Sequence, residues 1–448
     1  MKIERFYDYN LAHASYAIIS EGEMALIDPA RNPQPYLDFA KDCGAEITHI
    51  FETHPHADFI SGHLDIHQQT GAVIHVSKMV GADYPHEPFD DGDQVSLGKL
   101  TFKAMNTPGH SPDSISILLL DEQGEEYAIF TGDTLFIGDV GRPDLRESVG
   151  GTTAKREALA RQMYDTINNK FSKLQDATVV YPAHGAGSLC GKNLSTDSSS
   201  TMGREREENW AFKSMTQDQF VDAILENQPF VPKYFGHAVE INKQGATSFK
   251  ESTSKVKRYK ALSEVPDRTL IIDVRNQTEY KKGHLPHSVN IILTEKGKFE
   301  TWLGAIVDPT ESFVLLAQSQ EQLEIAIARA AKIGYEYNLA GGIALDSGET
   351  LPLKSEILDV ERFSNDVDGY SVVDVRNDEE VKAGKIFKNA IHIPLHQLRE
   401  KSYEIPTDKP VVVHCAAGYR SAAGSSILES KLKDLKVYDL GETIADFK

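Results

Sequence analysis

Cysteine is scarce in this chain: three among 448 residues, Cys43, Cys190 and Cys415. That is too few for a disulfide framework, and the odd count suits a reducing cytosol. Long apolar runs are missing too. The runs present, such as Ile117–Leu120, are far too short to span a bilayer, and no N-terminal apolar stretch reads as a signal peptide. Nor is there an excess of positive charge. With 47 Lys and Arg against 67 Asp and Glu, the formal net charge is -20. That balance argues against non-specific binding to nucleic acid or anionic lipid. A cytoplasmic protein, with neither nucleic acid nor membrane as partner, is the expectation. The length predicts about three domains.

Against that background, four strand-like segments in the first half each end in a residue of metal-ligand type. Ile47–Phe51 leads into Thr53-His54-Pro55-His56-Ala57-Asp58, and Leu100–Met105 into Thr107-Pro108-Gly109-His110. Tyr127–Phe130 leads into Thr131-Gly132-Asp133, and Thr178–Tyr181 into Pro182-Ala183-His184-Gly185. Strand ends let side chains from distant parts of a chain converge on one ion, and imidazole and carboxylate hold zinc, iron or manganese. A single histidine at a strand end is ordinarily a hydrogen-bonded core residue. Four such ends in register, the first carrying H-x-H-x-D, point to a metal centre.

The H-x-H-x-D motif with His110, Asp133 and His184 resembles the metallo-β-lactamase fold over roughly residues 1–240. The resemblance implies an αββα sandwich with two metal half-sites. His54, His56, His110 and Asp133 would serve the first; Asp58, residue 59, Asp133 and His184 the second. The family's motif usually reads H-x-H-x-D-H, but here the last position is Phe59. A phenyl ring offers no lone pair, so the second half-site is weakened, and with it a two-metal hydrolase of the glyoxalase II kind. One branch of the family, the persulfide dioxygenases, holds one Fe(II) with two His and one Asp. The matching positions are His54, His110 and Asp133. Such a set leaves open positions for substrate and dioxygen, which suits non-haem Fe(II) oxygenases. His56, Asp58 and His184 would then orient ligands or order water. His63 is expected at the surface or as a cap. Gly141-Arg142-Pro143-Asp144 resembles the family's G-R-x-D segment; Arg142 either pairs with a substrate carboxylate or braces its own loop.

The second half carries an internal repeat. Leu270-Ile271-Ile272-Asp273-Val274-Arg275-Asn276 recurs as Ser371-Val372-Val373-Asp374-Val375-Arg376-Asn377. Each copy runs through an acidic helical stretch to a glycine, then to a second and a third short strand, Phe313–Leu316 in one and Val411–His414 in the other. Strands alternating with amphipathic helices argue a parallel α/β sheet. D-V-R followed by G-H-x-P resembles the rhodanese sulfurtransferases, with Lys385 in place of His in the second copy. That copy also carries Cys415-Ala416-Ala417-Gly418-Tyr419-Arg420, which matches the rhodanese loop C-x-x-G-x-R. Such a loop wraps a thiolate or persulfide in backbone N–H groups at a helix N-terminus, and Arg420 adds positive charge. In the first copy the stretch reads Ala317-Gln318-Ser319-Gln320-Glu321-Gln322, with neither thiol nor arginine. It is expected to be degenerate, a structural or docking domain.

The layout is thus α/β: residues 1–250 a metallo-β-lactamase-like domain, 258–352 a degenerate rhodanese-like domain, 355–448 a rhodanese domain. Ser195–Thr201 is a polar joint that looks mobile, a lid or a surface loop. Gln228–Phe235 reads as an extended strap, Lys250–Lys260 as a charged linker. Cys190 lies six residues beyond His184, a tether of at most about 20 Å. It either relays persulfide sulfur near the metal or is a small buried hydrophobe. Cys43 is expected to be inert.

The domain order resembles the multidomain persulfide dioxygenase–sulfurtransferases of bacterial sulfide-response systems. The resemblance implies one Fe(II) per chain, with a low-molecular-weight persulfide (of glutathione, coenzyme A, bacillithiol or cysteine), dioxygen and sulfite as partners; a homo-oligomer is the expected assembly, though the sequence does not give the oligomeric state. Cys415 would be nucleophile and sulfur carrier. Two rivals stand beside this reading: a glyoxalase II-like two-metal thioester hydrolase with rhodanese-like passengers, and a non-catalytic persulfide carrier or sensor.

Overall fold

The segment Leu100–Asn106 buries every second residue in its first half, as a strand with one wet face should. His13–Ser20 is buried almost throughout, as a strand covered on both faces. In the computed structural model, which describes residues 1–146, 156–345, 349–432 and 434–448, these belong to two packed sheets. The chain divides into two compact units, Met1–Ser252 with Ala331–Gly334, and Thr253–Ala330 with Tyr335–Lys448. Among the described residues, no helix is long and apolar enough to cross a membrane.

The first unit holds two six-stranded sheets. One runs in the order Lys2–Asp8, His13–Ser20, Glu23–Ile27, Glu46–Phe51, Val73–Val76, Glu87–Pro88. The other runs Ser200–Thr201, Val179–Pro182, Glu126–Gly132, Ile115–Leu120, Leu100–Asn106, Gln94–Leu97. Tyr16, Phe51, Phe102 and Phe130 fill the space between them. The outer face of the first sheet packs on helices Gln34–Cys43 and His63–Thr70 through Tyr36, Ala40 and Ile66. The outer face of the second packs on Arg156–Asn169 and Gln217–Leu225 through Met163, Ile167 and Phe220. The layers are therefore αββα, as expected. All four strand-like segments that lead into ligand residues are strands of these sheets.

The second unit holds two parallel sheets. One is ordered Arg258–Tyr259, Leu339–Ala344, Phe313–Ala317, Leu270–Asp273, Ser288–Asn290; the other Ile391–His392, Ser371–Asp374, Val411–His414, Val437–Asp439. The D-V-R repeat has a structural basis that is the same in both copies. Arg275 binds Asp273 through Nε and Nη2 and donates to the Gly283 carbonyl at 2.7 Å. Arg376 does the same with Asp374 and the Gly384 carbonyl. Each arginine ties the end of a strand to the end of the following helix. Burying an ion pair needs this full set of partners.

Two segments fold differently from the expectation. The strap ends at Tyr234, and Phe235–Gln244 is a helix burying Ala238, Val239 and Asn242; once past Pro232, nothing restricts the backbone. The charged stretch 250–260 is not a plain linker. It forms most of the helix Phe249–Lys255, whose first N–H donates to Asp65 Oδ2 at 2.8 Å, and then an edge strand, Arg258–Tyr259, paired with Gly342 and Ile343. Its charges lie on a solvated face and hide the pairing. The serine-rich joint is partly tied down: Ser200 and Thr201 pair with Val180 and Val179, and Thr201 caps the helix Met202–Glu208.

Candidate functional site

Strand Glu46–Phe51 delivers His54, the strand Leu100–Asn106 delivers His110, and the strand Glu126–Gly132 delivers Asp133 just past its end. Their ligand atoms lie within 4.8 Å of one another, and all three residues are buried. Asp133 Oδ2 stands 3.9 Å from His54 Nε2 and 3.7 Å from His110 Nε2. Neighbouring groups fix which nitrogen of each ring carries the proton. His110 Nδ1 donates to the Arg142 carbonyl at 2.9 Å. The Thr53 hydroxyl gives its proton to Asp28 Oδ2, so at 3.1 Å it accepts from His54 Nδ1. Both Nε2 atoms therefore present lone pairs, and they face a carboxylate oxygen that is buried and, among the described residues, has no hydrogen-bond partner. Three lone pairs converging in a dry pocket repel one another unless a cation joins them. The donor set fits a metal ion.

The surrounding groups hold these ligands. Asp28, itself at a left-handed φ of 49°, accepts from the Thr53 amide at 2.8 Å and lies 3.3 Å from His56 Nε2. His184, at the end of the fourth strand, sits between Asp133 Oδ1 at 2.7 Å and Asp58 Oδ2 at 2.9 Å. Burial lowers the His184 imidazole, but the two carboxylates outweigh it and hold the ring well above its usual range. Burial raises the Asp133 carboxyl in turn, and His184, His54 and His110 outweigh that, keeping it well below the usual carboxylate range. Gly141 is required by close approach: a Cβ there would fall 1.8 Å from the Asp133 carbonyl oxygen.

Phe59 is buried to 1% exposure. Its ring lies 3.8 Å from that of His13 and 4.4 Å from that of His56, centroid to centroid. Cys190 is brought to the same pocket. Its thiol groups with Asp58 and His184 within 4.8 Å, and burial, then Asp58 and Asp133, push its pKa well up. Arg142 braces this region. Its guanidinium grips Asp144 at 2.7 and 2.6 Å and reaches the Leu189 carbonyl at 3.2 Å, while its amide donates to the Cys190 carbonyl. His63 is not at the surface. It is buried beside Glu52 and Tyr84, and burial lowers its pKa to about 3.

Several supports had not been read from the sequence. Asn242 donates to the carbonyls of His56 and Phe59, and Tyr234 to that of Asp58, so the end of the strap and the helix beyond it clamp the H-x-H-x-D loop. No local pattern marks these two residues. Asp28 had a signal: it too follows a strand, Glu23–Ile27. His13 begins a strand and carried none.

In the second unit, Cys415 follows the strand Val411–His414 and precedes the helix Tyr419–Lys431. It is 1% exposed, and its sulfur accepts the Gly418 N–H at 3.2 Å. Gly418 has φ 95°, and a Cβ there would meet Gly441 and Glu442 backbone at 2.9 Å. The loop thus presents the Gly418 amide to sulfur at a helix N-terminus. Arg420 is not a lone charge. Glu380 binds it in fork fashion at 2.5 and 2.7 Å, so the loop carries an ion pair. In the first copy the matching loop is closed on itself: Gln318 N donates to Gln322 Oε1, and Gln322 N to Ser319 Oγ.

Comparison with known proteins gives two family matches. A metallo-beta-lactamase superfamily model matches residues 9–184, and a rhodanese-like domain model matches 255–345 and 359–443. A metallo-beta-lactamase structure from Staphylococcus aureus subsp. aureus COL aligns with a TM-score of 0.70 at 32% identity, covering 77% of this chain and 99% of that one. A cytoplasmic hydroxyacylglutathione hydrolase of Arabidopsis thaliana is 30% identical over 174 residues, 38% of this chain and 62% of that protein. The mitochondrial persulfide dioxygenase ETHE1 of Homo sapiens is 28% identical over 164 residues, 36% of this chain and 59% of that protein. These two curated relatives are matched over about six-tenths of their length, and their names give different reactions.

Proposed function

Because the chain belongs to the metallo-β-lactamase superfamily and carries two rhodanese-like domains, we propose that it oxidises low-molecular-weight persulfides to sulfite and passes sulfane sulfur to sulfite, giving thiosulfate. The observation that carries this reading is the Phe59 ring, packed on His13 and His56 where a second metal's ligand would stand. It leaves His54, His110 and Asp133 as a three-ligand set. Iron(II) held there supplies open coordination positions and the electrons that activate dioxygen. The protein's own groups do the rest. Thr53 and the Arg142 carbonyl fix the imidazole tautomers, and Asp133 stays ionised. In the overall step one persulfide, one dioxygen and one water become one thiol, one sulfite and two protons.

The second chemistry lies at Cys415. Its thiol takes the outer sulfur of a persulfide and releases the thiol. Sulfite's sulfur lone pair then attacks the outer sulfur of the Cys415 persulfide. The S–S bond breaks, its electron pair stays on Cys415 Sγ, and thiosulfate leaves. The Gly418 amide stabilises that thiolate. Cys415→Ser should keep persulfide-dependent oxygen uptake and shift the product from thiosulfate toward sulfite. Thiosulfate formation at the wild-type rate in this variant would remove Cys415 from the role. Glutathione, coenzyme A, bacillithiol and cysteine persulfides are all candidate substrates.

A second reading has one observation in its favour. Asp58, His184 and Cys190 bring three further donor atoms within 4.8 Å, enough to hold a second ion despite Phe59. A two-metal hydrolase of the kind named by the Arabidopsis thaliana relative would follow, and metal content separates the two.

A further inference from the structure

The degenerate copy lacks a thiol loop of its own, yet it touches the end of the active copy's loop and the helix that follows it. Helix Tyr419–Lys431 starts immediately after the Cys415 loop. Its first residue, Tyr419, donates its hydroxyl to the Ile292 carbonyl of the degenerate copy at 3.0 Å. Two turns on, Ser426 Oγ accepts the Asn290 N–H at 2.9 Å. Trp302, in the degenerate copy's helix Phe299–Ile306, lies with its ring centroid 6.0 Å from the Arg420 guanidinium carbon. That helix is itself capped from the active copy: Arg399 Nη1 donates to the Ile306 carbonyl at 2.9 Å, and its guanidinium forks onto Glu311 at 2.7 and 2.8 Å.

Arg420 is therefore held from two sides. Glu380, from its own domain, satisfies its outer N–H groups. Trp302, from the other copy, offers a ring face. A carboxylate fork is a strong restraint, but here it also competes. Any sulfur anion arriving at Cys415 must draw the guanidinium's field away from Glu380. An indole face attracts the cation without neutralising it, so it can hold Arg420 near Cys415 while Glu380 yields.

We propose that Trp302 of the degenerate copy is the positioning residue that keeps Arg420 available to sulfur anions at Cys415. This rests on Cys415 being the sulfur carrier. It gives the degenerate copy a part in sulfur transfer without any chemistry of its own. It also ties the site's selectivity to a residue outside the rhodanese domain that bears the thiol. Small inorganic sulfur anions, which need the guanidinium's charge, depend on Trp302. A neutral thiol reagent does not, and it meets less obstruction once the indole is gone.

The test uses the full chain with Trp302→Ala, Trp302→Leu and Trp302→Phe, and Cys415→Ser as reference. Sulfur transfer is followed with thiosulfate as donor and cyanide as acceptor. Trp302→Ala and Trp302→Leu should raise KM for thiosulfate about tenfold, with kcat within a few-fold. Both should speed iodoacetamide alkylation of Cys415, read from its peptide by mass spectrometry. Trp302→Phe, which keeps a ring face, should stay close to wild type in both. Persulfide-dependent oxygen uptake should not change in any of the three. If the alanine variant fails to fold, the leucine–phenylalanine contrast decides. Leucine and phenylalanine variants with equal, wild-type KM would overturn the proposal. Transfer surviving in Cys415→Ser would instead remove the carrier itself, and so is distinguishable.

Discussion

Replacing Phe59 with histidine puts a ligand back at the one position where the metal motif is broken. The phenyl ring is buried against His13 and His56. Each such ring contact contributes about 0.5–1.5 kcal/mol, and histidine keeps only part of it. A buried imidazole N–H without an acceptor costs about 1–3 kcal/mol more. The metal-free variant should therefore be about 2–4 kcal/mol less stable, a fall in Tm of roughly 5–15 °C for a unit of this size. Zinc should restore most of that loss, because the new imidazole joins Asp58, His184 and Cys190 and a bound ion stabilises only the folded chain. Metal content measured by mass spectrometry should rise from one to two ions per chain, while persulfide-dependent oxygen uptake falls. Melting curves with and without zinc give the second readout. A variant that still binds one ion and gains no stability from zinc would refute the reasoning, as would a wild type that already holds two.

Other outcomes follow from particular contacts. His54→Ala should lose metal and oxygen uptake together, yet keep sulfur transfer at Cys415; metal analysis with an oxygen electrode and a transfer assay checks this. Cys190→Ser should slow persulfide oxidation, or change the sulfite-to-thiosulfate ratio, at unchanged iron content; wild-type kinetics with a lowered Tm would make it a packing residue. Burial, helped by the Asp439 charge, raises the Glu429 carboxyl to about 7, against a hydrogen bond from Ser355 and the charge of Lys281. A carboxyl raised in the folded state contributes stability that is full below its unfolded value and lost as pH climbs through 7. Urea unfolding should show a loss of about 3 kcal/mol between acid and mildly alkaline pH, and Glu429→Gln should remove it.

The αββα layers and the parallel sheets were legible because both depend on local signals. Alternating and continuous apolar runs mark strands, and D-V-R marks a strand end twice over. The ligand set was legible because its residues all stand at strand ends. The groups that hold it were not. Asn242 and Tyr234 reach the motif loop from about 180 residues away, and nothing in their neighbourhood announces a carbonyl that needs a donor. The helix Phe249–Lys255 hides behind charges that face solvent. His63 was misplaced because burial of an imidazole is decided by Glu52 and Tyr84, which only the fold brings near. Arg420 shows the same limit in reverse: its charge is plain in the sequence, its neutralisation by Glu380 is not.

The most direct measurement is metal content and oxygen uptake on one preparation of the wild-type chain given a thiol persulfide. Persulfide dioxygenation predicts one iron per chain and one dioxygen consumed for each persulfide lost, with sulfite and thiosulfate as the sulfur products. Two zinc ions per chain and no oxygen consumption would contradict it.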